Sequence, residues 1–102
     1  MAQKILQINL KFSISAEKLA REFETAAVPI AKVPGLVWKV FGLDEKRCEA
    51  TGIYLFKDSS SLEAYLDSPI MERMKSLEFF SDITIKKFDC VEKASAITRG
   101  PV

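Results

Sequence analysis

The side chains best suited to chemistry in this 102-residue chain are aromatic rings, amides and one awkwardly placed amine. Trp38 and Tyr54 fall on two neighbouring strand-like runs. Where the register sets them opposite each other, their rings make a flat slot for an aromatic molecule; a one-residue slip pairs Trp38 with Ile53 and reverses that. Tyr65, within "LEAYL", brings a hydroxyl that either reaches such a pocket or packs between helix and sheet. Gln7 and Asn9 form a polar row that orients an oxygenated substrate or, in the plainer reading, serves a sheet edge or lines a barrel. Lys39 and Glu49 lie close to the turn between the two runs, among apolar neighbours. A half-buried lysine loses enough basicity to act as a base or to stabilise an enolate; the competing role is an ion pair at the rim. For both strand aromatics the competing role is core packing. The expected site is therefore Trp38, Tyr54 and Tyr65 as catalytic groups, with Gln7, Asn9, Lys39 and Glu49 as substrate contacts.

What the chain lacks narrows the chemistry further. It has no histidine, which excludes a histidine-based triad, a histidine metal site and a histidine-ligated haem. Cys48 and Cys90 stand outside any CxxC pattern and signal neither a disulfide framework nor zinc. The formal net charge of +1, with basic residues spread along the chain, leaves no electrostatic footprint for nucleic acid. "MAQKILQINLKF" interrupts its apolar residues with Lys4, Gln7, Asn9 and Lys11, so it lacks the apolar block of a signal peptide, and no run approaches the ~20 residues of a membrane helix. A cytoplasmic protein is the expectation.

The elements that must position these groups follow from periodicity. Residues 4 to 12 alternate, with Leu6, Ile8, Leu10 and Phe12 on one face and Gln7, Asn9 and Lys11 on the other. Ser15 then caps a helix whose stripe runs through Leu19, Ala20, Phe23, Ala26, Ala27 and Ile30, with Pro29 expected to kink or interrupt it. The turn "VPG" leads to a second strand from Leu36. A short polar connection, residues 43 to 49, makes a hairpin with "ATGIYLFKD". Asp58 or a following serine caps the next helix, with Ser60 and Glu63 fitting a capping box, and Pro69 starts another helical piece. A last strand around "DITIKKFDCV" completes a β-α-β-β-α-β order. That order predicts an α+β, ferredoxin-like domain with a four-stranded antiparallel sheet, spanning residues 1–102 with a tail from 92 of undetermined order.

Two helices cover one sheet face only, yet "GLVWKVFG" and "GIYLF" are apolar on both faces. Leaving the second face bare would expose a patch larger than soluble monomers tolerate. A second copy packed face to face about a two-fold axis, giving a dimeric α/β barrel, is the expected cover; the alternative is a monomer with scattered surface apolars.

The segment "VPGLVWKVF", followed by "EATGIYLFKDSSSLEAYL", resembles the YdhR family of putative monooxygenases within the dimeric α/β-barrel superfamily. The resemblance is specific between Pro34 and Leu66 and weaker outside it. It implies a homodimer of ferredoxin-like subunits, each with a pocket between sheet and helices. For function it implies several branches: superfamily relatives oxidise aromatic substrates without a cofactor, degrade haem, or have no established activity. The haem branch needs a histidine on the helix after the third strand, where this chain offers residues such as Arg73 and Lys75. The cofactor-free branch implies a monooxygenase working without haem, flavin or metal on a small aromatic compound. There the deprotonated substrate itself meets oxygen, and the protein binds the ring, assists proton loss and stabilises the anion. A non-catalytic homodimer that binds a small hydrophobic molecule, or an accessory protein, is the alternative.

Overall fold

Strand alternation builds the centre of the molecule. In the structure, a computed structural model that describes residues 2–102, strand β1 (Lys4–Phe12) turns Leu6, Ile8, Leu10 and Phe12 into the core. Helix α1 (Ala16–Ile30) begins where the Ser15 hydroxyl accepts the Lys18 N–H at 3.1 Å, satisfying a donor the first turn leaves free. Pro29 sits in its last turn and the helix ends one residue later, so the proline marks a terminus instead of bending the body. Gly35 then adopts φ 82°, a left-handed turn with no room for a side chain: a Cβ there would lie 2.1 Å from Ser61 Oγ.

Strand β2 (Leu36–Asp44) and strand β3 (Glu49–Phe56) form the hairpin, joined by a turn in which the Asp44 carboxylate accepts the Arg47 N–H. Helix α2 (Ser59–Leu66) is capped by Asp58, which accepts the Ser61 N–H at 2.8 Å. The Ser60–Glu63 capping box does not form, because the cap lies two residues earlier and Glu63 turns to Lys87 at 2.6 Å. Helix α3 (Pro69–Ser76) has Pro69 at its first position, as the sequence pattern implies, and Ser68 as cap. Strand β4 (Phe80–Asp89) and the short helix α4 (Glu92–Ile97) complete the chain, so the tail after residue 91 has helical structure.

All strand pairs are antiparallel and the sheet order is β2-β3-β1-β4, the ferredoxin-like arrangement of a βαββαβ chain. Leu6, Ile8, Tyr54 and Phe56 from the two central strands pack against Ile30 of α1, Leu62 and Tyr65 of α2 and Met71 of α3. A second cluster joins Leu10, Phe12 and Ala50 to Leu19. Phe56, Leu62 and Met71 are essentially inaccessible, each contributing about 1.5–3 kcal/mol by burial. Among the described residues no helix is long and apolar enough to cross a membrane.

One irregularity decides which residues face the helices. Leu36 pairs with Phe56, but the next pair is Trp38 with Leu55, so Val37 is an extra residue bulged out of the hairpin. The alternation shifts by one step at that point. Lys39 therefore lies opposite Tyr54 and Phe41 opposite Gly52 on the helix side, while Trp38 and Val40 face away with Leu55 and Ile53. The expected pairing of Trp38 with Tyr54 on one face is thereby corrected: a single inserted residue puts them on opposite sides of the sheet.

Candidate functional site

The site begins with two tyrosines. β3 directs Tyr54 toward the helices and α2 brings Tyr65 down onto it, each 3% exposed, with their hydroxyls 2.9 Å apart. The rings sit 5.1 Å apart at 49°, a tilted aromatic contact that also includes Phe56. Burial pushes both phenols up, so the pair stays neutral at ordinary pH; for Tyr54 the neighbouring Tyr65 adds to the rise. Two hydroxyls bonded to each other use one of their two protons. One O–H donor therefore remains for a third group.

Beside them lies Lys39. Its ammonium stands 3.9 Å from the Phe41 ring centroid and 4.4 Å from that of Tyr54, and no carboxylate of the described residues comes within ion-pair distance. Gly52 explains how a lysine fits here. A Cβ at position 52 would come 2.9 Å from Lys39 Cε and 3.1 Å from the Tyr54 ring, so the missing side chain is the bed on which the lysine stem lies. Loss of hydration lowers the Lys39 pKa to about 7. The two ring faces oppose that loss, favouring the charged form by roughly 0.5–2 kcal/mol.

Lys39, Tyr54 and Tyr65 converge on one cavity of about 220 Å³ between the sheet and helices α1 and α3. Phe23, Ala26 and Ile30 of α1, Phe41 of β2, Ile70 and Met74 of α3, and Phe79 and Phe80 make its walls apolar. Glu22 and Thr25 of α1 and Arg73 of α3, all exposed, stand at its rim. A smaller void of about 50 Å³ shares Lys39, Phe41 and Tyr54 and reaches Gly52 and Ile8. The chemistry available is that of a ring-lined slot with an amine of near-neutral pKa and one phenolic donor.

The remaining expected site residues lie elsewhere. Trp38 faces the opposite side of the sheet, where its indole N–H donates to the Pro101 carbonyl at 2.9 Å. Gln7 and Asn9 share that far face, bonded to each other through Gln7 Nε2 and Asn9 Oδ1 at 3.2 Å. Glu49 pairs with Lys11 and Asp44 across the strands on the same side and is exposed. None of these four lines the cavity, because each occupies a strand position whose Cβ points away from the helices. Sequence reasoning passed over Phe23, Phe41, Gly52 and Arg73 as site residues. The helical stripe containing Phe23 and the glycine inside an otherwise bulky strand were the available signals. Among the described residues no group of three or more acidic or sulfur side chains is placed to hold a metal ion.

Comparison with solved structures finds the same fold in several other proteins. SnoaB, a cofactor-independent oxygenase from Streptomyces nogalater, superposes with a TM-score of 0.73 at 15% identity, covering 88% of this chain and 94% of that one. PA3566 from Pseudomonas aeruginosa gives 0.71 at 16% identity over 89% and 96%. Rv0793 from Mycobacterium tuberculosis gives 0.72 at 8% identity over 88% and 96%. Identities this low establish the shared fold alone. Comparison with curated proteins finds none similar in sequence. The family described as "Putative mono-oxygenase ydhR" matches residues 5–101, nearly the whole chain, and the protein belongs to that family.

Proposed function

We propose that the chain is a cofactor-independent monooxygenase acting on a small aromatic compound with an acidic C–H or O–H group. The observation that carries this reading is the convergence of Lys39, Tyr54 and Tyr65 on a ring-lined cavity. An apolar cavity of about 150 Å³ suffices for benzene, so 220 Å³ suits one or two fused rings. Lys39 in its neutral form takes the substrate proton, and the resulting ammonium and the free tyrosine donor stabilise the anion. The anion supplies the electrons for reaction with oxygen: a methylene becomes a carbonyl, one oxygen atom enters the product and the other leaves as water, RCH₂R′ + O₂ → RCOR′ + H₂O. The similarity to a cofactor-independent oxygenase fold supports the same reading.

The working unit is a homodimer joined through the sheet face opposite the helices. Val40 on that face is 55% exposed and Phe88 49%, with Ile53 and Ile5 between them, an apolar surface that a second copy would cover. The test of the activity is oxygen uptake by purified, metal-free protein against a panel of one- and two-ring phenols and benzylic ketones. Uptake that is lost in Lys39→Met supports the assignment. Tight binding of the same compounds with no uptake favours the non-catalytic ligand-binding reading.

A further inference from the structure

We propose that Lys39 is also a carbonyl-capturing nucleophile, binding small aromatic aldehydes in the cavity as imines of its side-chain amine. This goes beyond the oxygenation reading and shares with it the lysine, the pocket and the tyrosine donor.

Three features of the site point the same way. The amine has no carboxylate partner among the described residues, whereas Lys4 and Lys87 pair with Asp89 and Glu63. Ion pairing would lock the nitrogen as ammonium and occupy its hydrogens; Lys39 meets ring faces instead. The amine also borders empty space large enough for a planar ring, walled by Phe23, Phe41 and Phe80. Finally, Gly52 holds the stem flat under that space, since any side chain at 52 would press on Lys39 Cε. Burial adds to these by bringing the group to about 7, so that roughly half the amine carries a free lone pair at neutral pH. The other ionisable groups around the cavity are Glu22 from α1, Arg73 from α3, Tyr54 and Tyr65; the tyrosines remain protonated and supply the acid.

The step balances without an oxidant. The neutral amine adds to the aldehyde carbon, and a proton moves from nitrogen to oxygen to give a carbinolamine. The C–O bond then breaks, the hydroxyl leaves with the second nitrogen proton as water, and R–NH₂ + O=CHAr → R–N=CHAr + H₂O. The unspent O–H of the Tyr54–Tyr65 pair is the donor suited to polarise the carbonyl oxygen.

The experiment is reductive trapping with benzaldehyde and cyanoborohydride near neutral pH, with peptide mass analysis to rank every lysine by rate. Lys39 should react on the order of tenfold or more ahead of exposed lysines such as Lys18 and Lys46. Labelling ordered by exposure, with Lys39 among the slowest, overturns the proposal. Lys39→Arg should erase the fast adduct, and Gly52→Ala, which retains the amine but displaces its stem, should slow it. An unchanged rate in Gly52→Ala would remove the role given to the glycine, and a fast adduct surviving in Lys39→Arg would overturn the assignment. Trapping and oxygen uptake are read separately: an adduct without uptake refutes only the oxygenation, and uptake without an adduct refutes only this inference.

Discussion

The two faces of one sheet have been put to different uses. On the helix side, β2 and β3 present Lys39, Phe41, Tyr54 and Gly52 to a cavity, and a charge and two hydroxyls are buried there among rings. On the far side the same strands present Trp38, Val40, Ile53 and Leu55, and the neighbouring β1 adds Gln7 and Asn9, whose amides bond to each other. Burial on the far face is graded along the strands. Leu55, beside Trp38 where the C-terminal segment returns, is fully buried, while Val40 two residues on is largely bare. The helix face keeps its amine buried at an energetic cost, while its two hydroxyls satisfy each other. The far face leaves apolar side chains such as Val40 and Phe88 open to solvent in the single chain.

The strongest way to break this comparison is to charge the far face. Ile53→Glu places a carboxylate in the middle of the proposed sheet-to-sheet contact, where an unpaired charge costs several kcal/mol, comparable to the whole stability of a small domain. Sedimentation at micromolar concentration should show twice the chain mass for the wild type and the single chain mass for the variant. A wild-type monomer under those conditions would leave the apolar far face without its partner. Leu55, already covered within one chain, is not the residue to choose.

Next in size is the buried amine. Lys39 has a folded-state pKa of about 7 against 10.5 for an unperturbed lysine. Below pH 7 both folded and unfolded chains carry the proton, and the folded state bears the full cost of burying it. Between 7 and 10.5 the unfolded chain holds more protons, so stability rises with pH through that window. Lys39→Met should remove this rise and stabilise the protein at pH 6 by on the order of 2 kcal/mol, after allowance for partial solvent access and for the ring contacts. Denaturant titrations from about pH 6 to 9 measure it. A variant less stable than the wild type at pH 6 would show the aromatic cage outweighing desolvation.

How much of this was legible beforehand depends on the kind of signal. Apolar alternation in β1, the Ser15 cap, and Pro69 at the start of α3 are local features with local causes, and they lead directly to the ferredoxin-like order. Tyr54, Tyr65 and Lys39 were legible as candidates. Trp38 was misplaced by the bulge at Val37, which has no glycine or proline to announce it and is visible only in the pairing with Leu55. Gln7 and Asn9 are a different case. Their alternation with Leu6, Ile8 and Leu10 already placed them opposite the helices, so a pocket beneath the helices was never within their reach. Phe41 and Phe23 meet at 5.0 Å only because α1 folds back across β2, a tertiary fact no window of sequence contains.

A smaller effect separates the two tyrosine hydroxyls from mere packing. Tyr65→Phe leaves the Tyr54 hydroxyl buried without its partner, at a cost of roughly 1–3 kcal/mol. Phenylalanine at both positions should cost less than the two single changes added together, since no orphaned hydroxyl remains. Simple additivity in that cycle would mean that the 2.9 Å contact contributes nothing by itself.

The smallest expected effect tests whether the faces are independent. Trp38→Phe keeps an aromatic ring on the far face and removes only the indole donor to the Pro101 carbonyl, a partly exposed hydrogen bond contributing about 0.5–1.5 kcal/mol. The consequence should be local. Amide exchange should accelerate through α4 and residues 98–102, because that bond ties the end of the chain to β2, while the amides of β1 and β3 keep their protection. Benzaldehyde trapping at Lys39 should be unchanged, since the Trp38 side chain lies on the opposite side of the sheet from the cavity. A change in trapping rate would show that the adjacent backbone transmits motion from one face to the other. The comparison would then have to be redrawn with the C-terminal segment as part of the site, since Trp38 and Lys39 are consecutive residues and a strand that shifts at one shifts at both.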